Sequence, residues 1–298
     1  MRNGMTLEFS PIGLADQVSY QDRLARCPLA TSDYSFLNLW SWAPAYGLEW
    51  AWTDDLVWLR QSRPSSVFWG PVGDWQSVDW PGCFERPSPL KSTLIRVPGP
   101  LARLWQSIFG DRVVISEERD QFDYLYKADD LITLTGNRYH KKKNLVRQFE
   151  KLYDYQYVPM TPDMADRARA LQEDWCVWRD CVSDDQLAAE NQAIDRTLAN
   201  WENLSNVLGG CLLVKGQVAA YTIAERISSD TLIVHFEKGD ADFKGVYQAI
   251  NQKFLEHEAQ GMEWVNREQD LGNDGLRKSK ESYHPARFLK KYRVMFRL

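Results

Sequence analysis

The stretch "TLIVHFEKGDADFKGVYQAINQKFLEHEAQ", residues 231–260, decides the fold class. Its first eight residues are mostly apolar, β-branched or aromatic, which is typical of a buried strand. The segment "GDADFKG" follows as a turn, and Val246, Ile250 and Phe254 then recur at steps of four, on one face of a helix. A strand that leads through a short turn into such a helix predicts a sheet with helices packed on its faces.

The rest of the second half of the chain continues this order of strands and helices. Pro162 takes the first position of a helix that Thr161 can cap. The capping box "SDDQ", with Ser183 three residues before Gln186, opens a second helix that is expected to reach about Leu204. The remaining predicted strands are "YQYVPM", then "CLLV" and "VAAYTIAERI" joined as a hairpin at "KGQ", then "MEWVNRE" and the final "KKYRVMFRL".

The first half contains a fainter version of the same unit, which indicates a duplication. "TLIRV", the turn "PGP", the helix "LARLWQSIFG" and the strand "RVVISEE" repeat the order strand, helix, strand. Between the halves, "GNRYHKKKNLVRQFEKLY" predicts a basic helix with Leu145, Phe149 and Leu152 facing inward. The predicted class is therefore α/β or α+β, with domains at 1–135 and 158–298 and a linker helix and connecting strand at 136–157.

Composition excludes several classes of protein. The 298 residues are 44% hydrophobic and carry a formal net charge of −5, so a uniformly basic nucleic-acid binder is disfavoured. No apolar signal core or membrane-spanning stretch is visible. The tryptophans concentrate in the first 105 residues among acidic neighbours, which favours core packing over base stacking. Those expected to be mostly buried are Trp40, Trp42, Trp50, Trp52 and Trp58.

The five cysteines are scattered and form no CxxC motif, which argues against a disulfide framework or structural zinc. The four histidines do not group at metal-ligand spacing, so no metal site is predicted. Cys176 and Cys181 lie at or beyond a helix end without an evident base, which disfavours thiol catalysis. A reducing cytoplasm fits this cysteine usage best.

Four segments together resemble a known family. They are "LTGNRYHKKKNLVRQFEKLY", "HFEKGDADFKGVYQAIN", "VNREQDLGNDGLRKSKESYHP" and the late "KKY". They are similar to the C-terminal domain of phosphatidylglycerol lysyltransferases, including its soluble members. The resemblance covers nearly the whole chain. It implies two tandem acetyltransferase-like (GNAT) domains, kinship with Fem-type aminoacyl transferases, and transfer of an acyl or aminoacyl group.

The turn before the helix at 246 resembles the phosphate loop of GCN5-related acetyltransferases, in which backbone amides at a helix start hold the pyrophosphate of coenzyme A. Lys244 and Gly245 fit the middle of that loop. Tyr247 stands where a small residue is needed, so coenzyme A is expected to bind weakly or not at all. An ordinary helix-capping turn is the alternative interpretation.

The segment "NREQDLGNDGLRKSK", residues 266–280, carries seven charged residues and two glycines directly after a predicted strand. In an acetyltransferase-like sheet this strand end lies beside the end of "IVHFEK", where α/β sheets bind ligands. Glu237 and Glu268 are the candidate proton acceptors. The candidate ligands for a small anionic substrate or donor are Lys238, Lys244, Gly245, Tyr247, Asn266, Arg267, Asp270, Arg277, Lys278 and Lys280. A structural ion-pair network is the alternative for the same charges.

The basic helix offers a second candidate surface. Lys141, Lys142, Lys143 and Arg147 could contact tRNA phosphates or an anionic lipid headgroup. A solvated linker face is the alternative. The resulting hypothesis is a soluble, cytoplasmic acyl or aminoacyl transferase that uses a coenzyme A ester or aminoacyl-tRNA as donor and an amine or hydroxyl as acceptor. The competing hypothesis is a non-catalytic ligand-binding protein on a duplicated acetyltransferase fold.

Overall fold

The computed structural model describes residues 7–85 and 89–297. The chain divides into two compact units that are interleaved along the sequence. The first unit contains the chain up to Asp123, then Gln269–Asn273, then the segment from Phe288 onward. The second unit contains Tyr124–Glu268 and Asp274–Arg287.

Strands and helices are numbered in chain order. The strands are β1 (Ser10–Pro11), β2 (Glu49–Trp52), β3 (Leu56–Gln61), β4 (Val67–Trp69), β5 (Val72–Gly73), β6 (Leu94–Pro98), β7 (Val113–Glu117), β8 (Asp123–Lys127), β9 (Tyr155–Pro159), β10 (Val207–Val214), β11 (Gln217–Arg226), β12 (Thr231–Gly239), β13 (Trp264–Asn266), β14 (Arg287–Leu289) and β15 (Lys291–Phe296). The helices are α1 (Gln17–Leu24), α2 (Phe36–Tyr46), α3 (Trp80–Glu85), α4 (Gly99–Phe109), α5 (Ala128–Thr133), α6 (His140–Leu152), α7 (Pro162–Trp178), α8 (Asp185–Ala199), α9 (Val246–Glu258) and α10 (Asp274–Glu281).

The first sheet has the strand order β1-β2-β3-β4-β6-β15-β7, with β5 paired to β3. The late strand β15 lies antiparallel between β6 and β7, which α4 connects along the chain. Large aromatic side chains fill this core, as the sequence predicted, and Trp80 and Trp105 meet edge to face at 5.2 Å. Trp52 departs from the expectation, because it is 37% exposed.

The second sheet has the order β14-β8-β13-β12-β11-β10-β9. Its central strands β12 and β13 are parallel, and α9 connects them, as a parallel pair requires a crossover. The hairpin of β10 and β11 turns at Lys215 and Gly216, which have φ of 51° and 77°. Positive φ at both positions is the signature of a two-residue type I′ turn. The mixed sheet with helices is the predicted α/β class.

Several predicted boundaries differ from the structure. Asp184, not Ser183, caps α8, because its carboxylate accepts hydrogen bonds from the backbone of Gln186 and Leu187. The helix ends at Ala199, before the predicted Leu204.

The linker helix α6 buries a different set of side chains from the one predicted. Val146 and Phe149, one helical turn apart, are its buried residues, whereas Leu145 is half-buried and Leu152 is 58% exposed. The two units are also not consecutive along the chain, because the late strand β15 pairs with β6 and β7 of the first sheet. A division of the chain at 136–157 does not include this long-range pairing.

The expectation that the cysteines do not form a disulfide framework is corrected at one place. Cys176 and Cys181 form a disulfide, with their Cα atoms 5.1 Å apart. The chain reverses just after α7 through Asp180, whose φ is 50°, and this turn returns Cys181 to the last turn of the helix. The two cysteines are five residues apart in the sequence and belong to no familiar disulfide motif, so the sequence did not predict the turn that brings them together. None of the helices within the described ranges has the length and apolarity that crossing a bilayer requires.

Candidate active site of the second unit

The strands β12 and β13 separate at the carboxyl end of their pairing. Their register runs from Thr231 opposite Trp264 to Ile233 opposite Asn266. Beyond that point β12 continues to Gly239 beside β11. Strand β13 ends at Asn266. The backbone N–H of Arg267, the residue after it, donates a hydrogen bond to the carbonyl of Tyr124 on β8. The sheet therefore opens after Ile233, and the residues that follow on both strands flank the opening.

An ion pair occupies this opening. Glu237 Oε1 lies 3.1 Å from Arg267 Nη2, and Glu237 Oε2 accepts a hydrogen bond of 3.0 Å from Asn251 Nδ2 on α9. The two charged side chains are 13% and 14% exposed, so the pair is shielded but reachable from solvent. Burial disfavours the guanidinium charge, yet the Glu237 carboxylate together with Tyr283 and Tyr126 outweighs burial and raises the pKa of Arg267 above its ordinary value.

The ring of Tyr283 holds a second cation beside this pair. Arg267 Cζ lies 4.9 Å from the ring centroid, and Lys142 Nζ of α6 lies 4.2 Å from it. Burial and the repulsion from Arg267 lower the pKa of Lys142, and Glu237 offsets them only in part. Burial also raises the pKa of the Tyr283 hydroxyl to about 12. We call the group Lys142, Glu237, Asn251, Arg267 and Tyr283 the splay site.

Glu268, the other candidate proton acceptor, is engaged by a histidine. His235 Nδ1 lies 2.7 Å from Glu268 Oε1, and His235 Nε2 lies 3.4 Å from Glu225 Oε2. Burial of the imidazole opposes its charge, but the two carboxylates outweigh burial and raise the pKa of His235 to about 9. The histidine is therefore an imidazolium at neutral pH and holds Glu268 as its counterion.

Lys238 contacts a different helix from its neighbour Glu237. Its Nζ donates to Glu190 Oε2 of α8 at 2.7 Å and lies 3.9 Å from the ring of Trp175 on α7. Glu237 contacts α9 instead, because successive side chains of a strand point to opposite faces. The sequence prediction grouped Glu237 and Lys238 because both lie at the end of one strand, and it did not consider that their side chains point to opposite faces of the sheet.

The turn before α9 is covered by α6. Gly245 has φ of 85°, and a Cβ added there would lie 2.3 Å from the backbone oxygen of Leu145. The backbone N–H of Lys244 donates to the hydroxyl of Tyr153 at 3.0 Å, while the Lys244 side chain is exposed. Tyr247 bonds through its hydroxyl to the carbonyl of Gly239.

The remaining predicted residues have separate surroundings. Asn266 is buried and accepts the N–H of Glu268, and Lys280 Nζ donates to the carbonyl of Arg267 at 2.5 Å. Asp270 belongs to the first unit, where it is buried against Arg119 at 3.1 Å. On α10, Arg277 is half-buried and Lys278 is exposed.

Of the predicted set, Glu237, Arg267 and Lys280 are in contact, and Glu268 touches Asn266. Sequence reasoning missed His235, Asn251 and Tyr283. A histidine inside an otherwise apolar strand is a signal that points to His235, whereas the other two come from elements whose packing the sequence does not specify. Within the described residues, no group of three or more His, Cys, Asp or Glu side chains is arranged to hold a metal ion.

Comparison with known proteins agrees with this architecture. A conserved protein of unknown function from Bacteroides thetaiotaomicron VPI-5482 is similar at 30% identity over 98% of this chain and 100% of its own, with a TM-score of 0.87. L-PGS from Bacillus licheniformis shares the fold at 12% identity and TM-score 0.62, over 95% of this chain and 92% of its own. FemX shares it at 7% identity and TM-score 0.60, over 97% of each chain.

Among curated proteins no match was found. The predicted mixed α/β class is confirmed by the two sheets with their helices, and L-PGS and FemX share this fold. Residues 25–295 match the family model described as phosphatidylglycerol lysyltransferase, C-terminal. That match spans nearly the whole chain, and the protein therefore belongs to the family of the phosphatidylglycerol lysyltransferase C-terminal domain.

Proposed function

We propose that the protein is an acyltransferase that takes its donor as an aminoacyl-tRNA rather than a coenzyme A ester. It passes the aminoacyl group to an amine or hydroxyl acceptor at the splay site. The observation that carries the proposal is the covered turn before α9. This is where an acetyltransferase would need free backbone amides for a pyrophosphate.

Three contacts close that turn to a phosphate. The Leu145 carbonyl lies against Gly245, the Tyr153 hydroxyl takes the N–H of Lys244, and the ring of Tyr153 packs on Phe243 at 5.1 Å. A pyrophosphate could enter only if α6 moved away, which would expose Phe149 of the core. A donor that does not depend on this turn fits the arrangement better than a coenzyme A ester.

The outer surface of α6 supplies a place for a polyanionic donor. Lys141 and Arg147 are exposed and Lys143 is half-buried, so their charges can reach phosphates in solution. Contacts of this kind release counterions, and the affinity then falls linearly with salt on a log-log scale. We expect this reaction to take place in the cytoplasm, where charged tRNA is made.

The chemistry required is modest. The acceptor nitrogen or oxygen attacks the ester carbonyl carbon, the bond from that carbon to the tRNA 3′ oxygen breaks, and the departing oxygen takes up a proton. The acceptor, whether amine or hydroxyl, must also lose a proton, and Glu237 is the carboxylate at the opening that is placed to accept it. Arg267 keeps Glu237 oriented through their ion pair.

The test is transfer from charged tRNA. Purified protein is incubated with radiolabelled aminoacyl-tRNA and a pool of small amines and alcohols, and products are identified by mass spectrometry; coenzyme A binding is measured by calorimetry in parallel. We expect aminoacyl products and no coenzyme A affinity at micromolar concentration. Tight binding of acetyl coenzyme A, or an absence of transfer with every charged tRNA, contradicts the proposal.

Variants of α6 give a matched comparison. Replacing Lys141, Lys143 and Arg147 together by Ala should weaken tRNA binding and flatten its salt dependence, because up to three phosphate contacts disappear. Lys151→Ala removes an exposed charge from the last turn of the same helix and serves as control. Equal salt slopes in the triple variant and the wild type would reject α6 as the tRNA contact.

A non-catalytic binding protein is the second candidate, and one observation favours it. Both oxygens of Glu237 already have partners, Arg267 and Asn251, so the carboxylate is held as in a structural network. Under this alternative, charged tRNA or another anion binds without release of its aminoacyl group. The transfer assay separates the two candidates directly.

A further inference from the structure

The splay site carries more positive than negative charge. Lys142 and Arg267 both lie against the ring of Tyr283, at 4.2 and 4.9 Å from its centroid. The charges that act on Lys142 are the repulsive guanidinium of Arg267 and the attractive carboxylate of Glu237. One carboxylate therefore faces two cations.

A protein seldom holds two cations together in a shielded position unless something offsets the repulsion. Glu237 is committed to Arg267 at 3.1 Å and to Asn251 at 3.0 Å. Glu268 is the counterion of His235, at 2.7 Å. The surplus charge thus rests on Lys142, which is half-buried and so keeps part of its side chain open to solvent.

We propose that the splay site binds a singly charged oxyanion, which Arg267 and Lys142, both close to the ring of Tyr283, hold together. The guanidinium offers a fork of N–H donors and the ammonium a point charge, the pairing that phosphates and carboxylates select. The faces of the ring are electron-rich, and both cations lie within cation–π distance of its centroid.

Two sources supply this chemistry. One is the phosphodiester next to the 3′ terminus of the donor, and this assignment rests on the proposed function. The other is the carboxylate of a free amino acid, which does not depend on it. Both carry one negative charge and two oxygens that can meet the two cations.

The experiment titrates wild-type protein with dimethyl phosphate, the dinucleotide CpA, acetate and glycine at constant ionic strength, by calorimetry. Lys142→Met keeps the length of the side chain and removes its charge, and Lys142→Arg restores a cation. Lys151→Met is the control on the same helix. We expect binding to weaken about tenfold or more in Lys142→Met, to recover in Lys142→Arg and to stay unchanged in Lys151→Met.

Circular dichroism melting of each variant separates lost binding from lost folding. If Lys142→Met is too unstable to titrate, the resonance of the Lys142 side chain in wild-type protein replaces it, because an anion at the site must shift its titration upward. Equal affinity in wild type and Lys142→Met, or no shift of that resonance with any probe, overturns the oxyanion subsite. An equal loss in Lys151→Met overturns it as well.

The outcomes also distinguish the oxyanion subsite from the proposed transfer of an aminoacyl group from tRNA. Binding of CpA or dimethyl phosphate that depends on Lys142 supports the phosphodiester, and binding of glycine or acetate alone supports the carboxylate. Anion binding without transfer from any charged tRNA leaves the subsite standing and removes the donor assignment. Transfer that continues unchanged in Lys142→Met, without anion binding, removes the subsite and leaves the function.

Discussion

His235 is the residue whose charge most directly ties stability to pH. Its pKa is raised from an ordinary 6.5 to about 9 because Glu225 and Glu268 flank it. A histidine whose pKa is raised on folding contributes stability that is complete below its unfolded pKa and is lost as the pH rises through the folded one. The contribution is on the order of 3 kcal/mol at pH 6, and it should fade between pH 6.5 and 9.

Urea unfolding at pH 6, 7.5 and 9 measures this effect. His235→Gln should lower the free energy of unfolding at pH 6 and flatten its decline toward pH 9, because the buried Glu225 and the partly buried Glu268 lose their cation. His140→Gln changes an exposed histidine of α6 and should leave the pH profile as it is. Parallel profiles for wild type and His235→Gln would show that the imidazolium does not stabilise the fold.

At the scale of elements, the contact of α6 with the turn before α9 can be tested by adding one methyl group. Gly245 has φ of 85°, and an added Cβ would lie 2.3 Å from the Leu145 carbonyl oxygen. Gly216 has φ of 77° and no atom within 4 Å of such a Cβ. Gly216→Ala should therefore cost about 1 kcal/mol for the backbone conformation alone, and Gly245→Ala should cost clearly more because α6 must shift.

Chemical denaturation of both variants provides the comparison, with the fluorescence of the many tryptophans as readout. The difference between the two alanine variants isolates the packing of α6, since the backbone strain is common to both. If Gly245→Ala loses no more stability than Gly216→Ala, then α6 can shift at little cost and does not close the turn to coenzyme A.

Elements also show what the sequence could specify. The cap at Thr161, with its side chain accepting the N–H of Met164, depends on neighbours within one turn, and local chemistry predicted it correctly. The ion pair of Glu237 and Arg267 follows from the order of two strands, which periodicity also reveals. Tyr283 follows α10 and reaches the splay site only through tertiary packing, so no local sequence pattern predicts its role there.

At the scale of a whole unit, a buried ion network ties together distant parts of the first unit. Lys291 of β15 is fully buried, with its Nζ 2.6 Å from Asp123 Oδ1 and in contact with Asp33. Burial raises the pKa of Asp33, but Arg96 and Lys291 outweigh burial and lower it below its ordinary value. The interleaved order of the units follows from such contacts, since a strand near residue 291 completes a sheet that begins near residue 10.

Removing Lys291 should therefore unfold the first unit far more readily than removing its neighbour. Lys291→Met leaves Asp33 and Asp123 buried without their shared cation and should cost about 3–5 kcal/mol. Lys290→Met removes a solvent-exposed charge paired with Glu117, and because water screens such a pair the free energy of unfolding should change little. Urea titrations of the two variants measure the difference. A similar small loss in both would show that the buried aspartates do not need the Lys291 cation, and that β15 is held by its strand pairing and by apolar side chains such as Val294 and Phe296.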